Sequence, residues 1–222
     1  MKSAVILLSG GLDSSTLLHY VKSNHDSRPL YALTIRYGQK HVRETACAVA
    51  QARAAGVKEH RQIDIGFFGE LIAGASALTD PAVPVPALAA LPPLQLDQPP
   101  TYVPNRNMLF LALAAAYAEA RGITDVFYGA QAQDRYGYWD CTPEFLDRMN
   151  AVLGLNRRQP VILRAPFMMM RKREILKIGL DLGVNYAETW SCYRGQETAC
   201  GVCPACVERR AAFDALHVTD PA

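Results

Sequence analysis

Two short stretches of this 222-residue chain concentrate the residues that could do chemistry. The first is Ser9-Gly10-Gly11-Leu12-Asp13-Ser14-Ser15-Thr16, which packs hydroxyls, glycines and one carboxylate between two apolar segments. It falls where a strand would pass into a helix. There the first backbone N–H groups lack intrahelical partners, and the positive end of the helix dipole favours an anion. Gly10 and Gly11 let the backbone turn sharply and approach a ligand with no Cβ in the way. The Lys of a Walker loop is missing, and the glycine spacing does not fit a dinucleotide fingerprint. Asp13 beside phosphates would repel them, so it implies either a divalent cation or a part in holding the loop. A Gly-Gly pair alone would be read as an ordinary strand–turn–helix.

The second stretch is Cys192-x7-Cys200-x2-Cys203-x2-Cys206. Thiolates of this number and spacing suit one tetrahedral Zn²⁺. A closed four-ligand site would be structural rather than catalytic. An iron–sulfur cluster is the main rival for such cysteines, and reduced buried thiols are the plain alternative. Cys47 and Cys141 stand alone. Clustering of this kind in a protein with no export signal points to metal rather than disulfides.

The elements that must position these residues follow from the apolar pattern. Continuous runs at Val5–Leu8, Leu30–Tyr37, Arg61–Ile65, Asp125–Gly129 and Val161–Leu163 predict short parallel strands covered on both faces. Between them, helices are predicted at Asp13–Val21, Val42–Ala55 (stopping at Gly56), Met108–Ala120, Pro143–Leu153, Arg171–Leu182 and Val207–Leu216. The alternation gives an α/β fold with a doubly wound parallel sheet. The domain is expected at residues 1–186, with a zinc-binding segment at 187–222 packed on it. Prolines from Pro81 to Pro104 make residues 72–104 a long irregular connection, expected to act as a lid over the site. Half the residues are apolar and the net charge is +2. That is enough for a sizeable core and too little charge to imply a polyanion partner. No run approaches the ~20 residues of a membrane span, and Ala4–Leu8 is too short for a signal peptide. A cytoplasmic protein is expected.

Taken together, the motifs carry a resemblance to the PP-loop ATP pyrophosphatases (adenine nucleotide alpha hydrolase-like fold), and more narrowly to the 7-cyano-7-deazaguanine synthase family. The strings that match are Ser9–Ser15, Tyr37-Gly38-Gln39-Lys40-His41, Val103-Pro104-Asn105-Arg106-Asn107, Pro166 with Lys172-Arg173-Glu174, Thr189-Trp190-Ser191-Cys192-Tyr193, and Cys200 through Arg209. The resemblance implies ATP cleaved between its α and β phosphates, with Mg²⁺ and Zn²⁺ as metals. It implies 7-carboxy-7-deazaguanine and ammonia as substrates, converted through an adenylated acid, an amide and an adenylated amide to a nitrile in queuosine precursor biosynthesis. On the same basis the nucleotide stretch runs over Leu8, Ser9, Gly10, Gly11, Leu12, Asp13, Ser14, Ser15, Thr16, Leu17 and Leu18. Arg106, Lys172 and Asp13 would be catalytic, and Asn105, Arg106, Asn107, Asp134, Tyr138, Asp140 and Glu144 would bind the base. A homodimer is expected from the resemblance only, with no membrane and no direct nucleic-acid partner.

One segment departs from the family pattern. Between Asp134 and Phe145, Tyr136, Trp139 and Thr142 stand where many members have Ser, Pro and Arg. If this loop lines the base pocket, the exchange adds aromatic surface and removes a cation. A relative that stops at the amide, or joins the acid to another amine, therefore stays open. So does a tRNA-modifying enzyme that would use Cys47 or Cys141 and the basic residues Arg157 to Arg173, and so does a non-enzymatic zinc-knuckle module.

Overall fold

A computed structural model describes residues 3–24, 29–92, 98–132, 134 and 137–221. Five parallel strands form one sheet: β1 (Ala4–Leu7), β2 (Leu30–Arg36), β3 (Glu59–Asp64), β4 (Asp125–Phe127) and β5 (Ile162–Arg164). Their order is β3-β2-β1-β4-β5, with Ala4 opposite Leu30 on one side of β1 and opposite Asp125 on the other. The helices are α1 (Leu12–Asn24), α2 (Arg43–Ala55), α3 (Phe67–Leu71), α4 (Arg106–Glu119), α5 (Pro143–Leu153), α6 (Lys172–Asp181) and α7 (Pro204–Asp214). The doubly wound expectation holds.

The strand period of two sorts side chains between two cores. Ala4, Ile6 and Leu8 point to a layer of α1, α2, α6 and α7, where Leu17, Leu18, Ile175, Leu176 and Phe213 are fully buried. Val5 and its neighbours Leu33 and Val126 point to the opposite layer, built from Leu111, Ala114 and Ala118 of α4 and Phe145 of α5. α6 lies against α1 so closely that a Cβ on Gly179 would fall 1.7 Å from the Tyr186 hydroxyl. That hydroxyl instead shares a 2.7 Å hydrogen bond with Thr16 Oγ1.

A third core joins the proline-rich segment to the cysteine segment, through Ala77, Leu78, Val85, Val103, Trp190, Cys192 and Cys203. The described parts of the segment at 72–104 are therefore held down in several places. Lys40 N–H donates to Leu78 O, Ala77 N–H to Pro100 O and Leu88 N–H to Val202 O. Pro93 lies outside the described residues.

Element ends differ from the sequence expectation where a local signal was passed over. α7 begins at Pro204, a turn before the expected Val207, because proline at the first helical position costs no backbone bond. α4 begins at Arg106 directly after Asn105, whose φ of 55° reverses the chain into the helix. The short α3 carried no periodic signal. Gly56 ends α2 in the left-handed conformation, as expected.

Candidate active site

β1 and β4 are neighbours in the sheet, but their connections leave in opposite directions. Such a switch point opens a crevice beyond the carboxyl ends of the strands. A cleft of about 250 Å³ lies there, lined by Leu8, Ser9, Gly11, Leu12, Asp13 and Ser14, by Ile35 and Tyr37 after β2, and by Tyr128 and Ala130 after β4. Arg106, Asn107, Asp134, Tyr138, Lys172, Tyr193 and Glu208 close it.

The loop between β1 and α1 is knitted around one hydroxyl. Ser14 Oγ receives the N–H of Ser9 at 3.1 Å and of Gly10 at 3.3 Å, and lies 2.9 Å from Ser9 Oγ. Gly11 N–H donates to Ser9 Oγ at 3.2 Å. The amides of Ser9 and Gly10 thus meet on Ser14 and that of Gly11 on Ser9, at a helix N-terminus whose dipole favours an anion. Gly10 has a φ of 93° and lies against α2, where a Cβ would sit 2.1 Å from Glu44 O. No other residue type fits.

The part of the expected nucleotide stretch that lines the cleft is shorter than the stretch itself. Thr16, Leu17 and Leu18 are buried in the α1–α6 core and do not line the cleft. The physical reason is helix geometry: only the first turn has unpaired N–H groups, and α1 starts at Leu12. Ser15 is also buried and does not line the cleft.

At the far wall, Lys172 at the start of α6 meets a ring of carboxylates. Its Nζ lies 3.3 Å from Asp13 Oδ2 and 3.2 Å from Glu208 Oε2. Burial works against its charge, but Asp13, Glu208 and Asp134 together hold the ammonium well above the usual lysine range. Asp134, whose Oδ1 accepts from the Gln131 amide at 3.1 Å, is pushed up to about 7. Burial is the main cause; Lys172 opposes it, and the like charges of Asp13 and Glu208 add to it.

Arg106 stands on the other side, its guanidinium 6.0 Å from the Tyr37 ring centre and its Nε 3.3 Å from Asn107 Oδ1. Asn107 turns its remaining groups to the loop after β4. Its N–H donates to Asp140 Oδ2 at 3.2 Å, and its Nδ2 to Cys141 Sγ at 3.1 Å. Tyr138 shares a 2.7 Å hydrogen bond with Thr101, and burial pushes its hydroxyl up to about 12.

Of the expected base-binding residues, Arg106, Asn107, Asp134 and Tyr138 line the cleft. Asp140 is buried behind it, its carboxylate taken by the Asn107 amide, so it orients the wall. Asn105 serves the chain reversal before α4. Glu144 is on the exposed face of α5, paired with Arg148 at 2.6 Å, and stays outside the cleft. Helical spacing explains this placement: α5 buries Phe145 and so turns position 144 to solvent. The departures from the family pattern also fall mostly outside. Thr142 caps α5 by accepting the Phe145 N–H, and half-exposed Trp139 donates its indole N–H to Tyr102 at 2.7 Å. Neither lines the cleft, and Tyr136 lies outside the described residues. The sequence reading missed Glu208, Tyr193, Tyr128, Thr101 and Glu44 as cleft residues. Only Glu208 and Tyr193 carried a signal, as members of the matching cysteine strings.

The four cysteines gather as expected. Their sulfurs all lie within 4.8 Å of one another, with Cys200 and Cys206 at 4.0 Å. Tetrahedral zinc with bonds of about 2.3 Å needs sulfurs about 3.8 Å apart. Cys200 N–H points at Cys192 Sγ and Cys203 N–H at Cys200 Sγ, each 3.4 Å away. The group could hold a metal ion.

Comparison with known families decides the kinship. Residues 3–217 match the family model described as queuosine biosynthesis protein QueC. The chain belongs to the QueC family. A 7-cyano-7-deazaguanine synthase from Marinobacter nauticus is 44% identical over 219 residues, covering 99% of this chain and 96% of its own length. Among solved structures, the NMN synthetase from Francisella tularensis superposes with a TM-score of 0.52 at 18% identity, covering 98% of this chain and 73% of that one. The U34-tRNA thiolase NcsA from Methanococcus maripaludis, solved with its [4Fe-4S] cluster, gives 0.51 at 14%, covering 96% and 65%. At such identities these two show a shared fold alone. QueC relatives of this similarity carry the name of a synthase, so the chain is an enzyme of that kind. No described helix is long and apolar enough to cross a membrane.

Proposed function

We propose that this QueC-family enzyme cleaves ATP between the α and β phosphates to adenylate 7-carboxy-7-deazaguanine, then displaces AMP with ammonia to give an amide. A second ATP would activate the amide oxygen, whose loss leaves the nitrile, 7-cyano-7-deazaguanine. One observation carries this reading. The loop between β1 and α1 and two partly buried cations, Arg106 and Lys172, face a single cleft. The loop amides suit a pyrophosphate leaving group, and the cations suit charge growing on the α phosphate and the acyl oxygen. Asp13, with Asp134 and Glu208 beside it, offers the carboxylates to hold the Mg²⁺ that accompanies ATP. Asn107 and Tyr138 offer polar edges to a purine-like base.

Zinc suits the cysteine group because one ion at its centre reaches all four sulfurs. A four-iron cluster would hold each thiolate on a different iron and spread them further. In this reading residues 187–222 are a zinc-fixed segment carrying Tyr193 and Glu208 to the wall of the 1–186 domain. The segment at 72–104 would shield the adenylate from water through Leu78 and Thr101. We also propose a cytoplasmic homodimer. The relative that stops at the amide loses support, because Trp139 and Thr142 lie outside the cleft.

The test is incubation with ATP, Mg²⁺, ammonium and 7-carboxy-7-deazaguanine, followed by mass spectrometry. A nitrile with AMP is expected. An amide as end product points to the shorter reaction, and no AMP sinks both.

A further inference from the structure

The cleft contains one more pair of ionisable groups, away from the lysine ring. His41 precedes α2 and Glu44 lies in its first turn; His41 Nε2 is 3.1 Å from Glu44 Oε2, and both side chains line the cleft. A carboxylate on Nε2 holds the hydrogen there and leaves the lone pair on Nδ1. His41 is 5% exposed, and Nδ1 has no hydrogen-bond partner. An unpaired acceptor at such depth is costly unless a ligand fills it.

The surroundings define what that ligand is. Glu44 Oε1 comes within 3.0 Å of where a side chain on Gly11 would begin, so a carboxylate abuts the phosphate loop. The neighbouring cations are engaged elsewhere. Lys40 Nζ donates to Val83 O at 2.6 Å, and Arg43 donates to Glu197 O with its guanidinium 4.2 Å above the Trp190 ring. The remaining titratable neighbours are Tyr193, whose ring is 5.7 Å from His41, Tyr37, which faces both Glu44 and Arg106, and half-buried Cys47 one turn along α2. The cleft wall therefore carries a carboxylate and, enclosed beside it, a ring nitrogen without a partner. That suits a small cation with N–H donors.

We propose that His41 and Glu44 form the ammonium site, and that His41 Nδ1 is the base that frees ammonia for attack. This rests on reading the chain as an amide-forming synthase. One N–H bond of ammonium breaks and its proton passes to Nδ1, giving an imidazolium stabilised by Glu44. The freed nitrogen lone pair forms a bond to the acyl carbon, the bond from that carbon to the phosphate oxygen breaks, and AMP leaves with the electron pair. The nitrogen then loses a second proton to solvent. No oxidant or reductant is involved.

The experiment compares the full-length enzyme with His41→Gln and Glu44→Gln. Two rates are measured, acid-dependent exchange of labelled pyrophosphate into ATP, and amide formation from ammonium chloride. His41→Gln should retain exchange while amide formation falls about a hundredfold, within the range of a lost general base. Hydroxylamine, whose nitrogen is unprotonated at neutral pH, should restore acyl transfer as the hydroxamate. Glu44→Gln should lie between. Parallel loss of exchange and amide formation, an unchanged amide rate, or selective loss with no rescue by hydroxylamine would each overturn the proposal. Wild-type enzyme with no acid-dependent exchange would instead refute the synthase reading itself.

Discussion

The cysteine cluster and the lysine ring solve the same electrostatic problem in opposite ways. Each gathers groups of one sign around a cation. The cysteines would do so within fifteen residues, with four like ligands and a cation from outside the chain. The ring takes Asp13 from α1, Asp134 from the loop after β4 and Glu208 from α7, and its cation is Lys172 of α6. A closed site of identical ligands is inert and serves folding. An open ring, in which a lysine would compete with the cation that the proposed nucleotide brings, would leave charge to be rearranged during chemistry.

That contrast can be broken most forcefully at Lys172. Lys172→Ala leaves three carboxylates facing one another, and turnover should fall about a thousandfold. Steady-state AMP release checks this, and residual activity within tenfold of wild type would deny the ring a catalytic part. Cys203→Ser attacks the other region. It should lose the proposed zinc and lower the unfolding midpoint by about 10 °C or more, since metal binding at such a cluster adds to folding energy. Metal analysis with calorimetry reads both, and a metal-free enzyme of unchanged midpoint would show that the cluster is not structural.

Gly10→Ala sharpens the comparison from the anion side. The left-handed backbone and the approach to Glu44 O should together cost about 2 kcal/mol or more and weaken ATP binding, measurable by denaturant titration and calorimetry. Asp134 offers a pH signature. Its folded value is raised from 3.8 to about 7, so its contribution to stability is complete below about 4 and lost as pH rises through 7. Asp134→Asn should therefore flatten stability against pH across that window and leave the variant relatively more stable above it. A slope equal to wild type would remove Asp134 from the ring. The smallest effect is expected at Trp139→Phe, which gives up one indole hydrogen bond to Tyr102, worth about 1 kcal/mol. Activity should hardly change, because the side chain is outside the cleft. A large fall in affinity for the base would return the departing loop to the pocket.

Much of the scaffold was legible because its signals are local. The run Val5–Leu8 before Gly10, the stop at Gly56 and the alternation of strands and helices all rest on neighbours in the chain. The sites were legible to different depths. Glu144 was expected at the base on the strength of the family resemblance, yet one step along α5 turned it to water. Asp140 read the same way, and the fold spent its carboxylate on the Asn107 amide. His41 and Glu44 carried no signal as a pair, because three-residue spacing at the start of a helix is commonplace.

By itself the sequence determined the two features whose residues are near one another in the chain, the loop from Ser9 to Ser14 and the four cysteines. Backbone conformation and metal geometry are short-range constraints, so residue type and spacing suffice to write them. Only the tertiary structure decided which charges share the cleft. The switch point between β1 and β4, the docking of α6 on α1 and the approach of α7 bring Asp13, Asp134, Lys172 and Glu208 together. Burial in that crevice, rather than any motif, raises the carboxyls of Asp13 and Asp134 above their usual range.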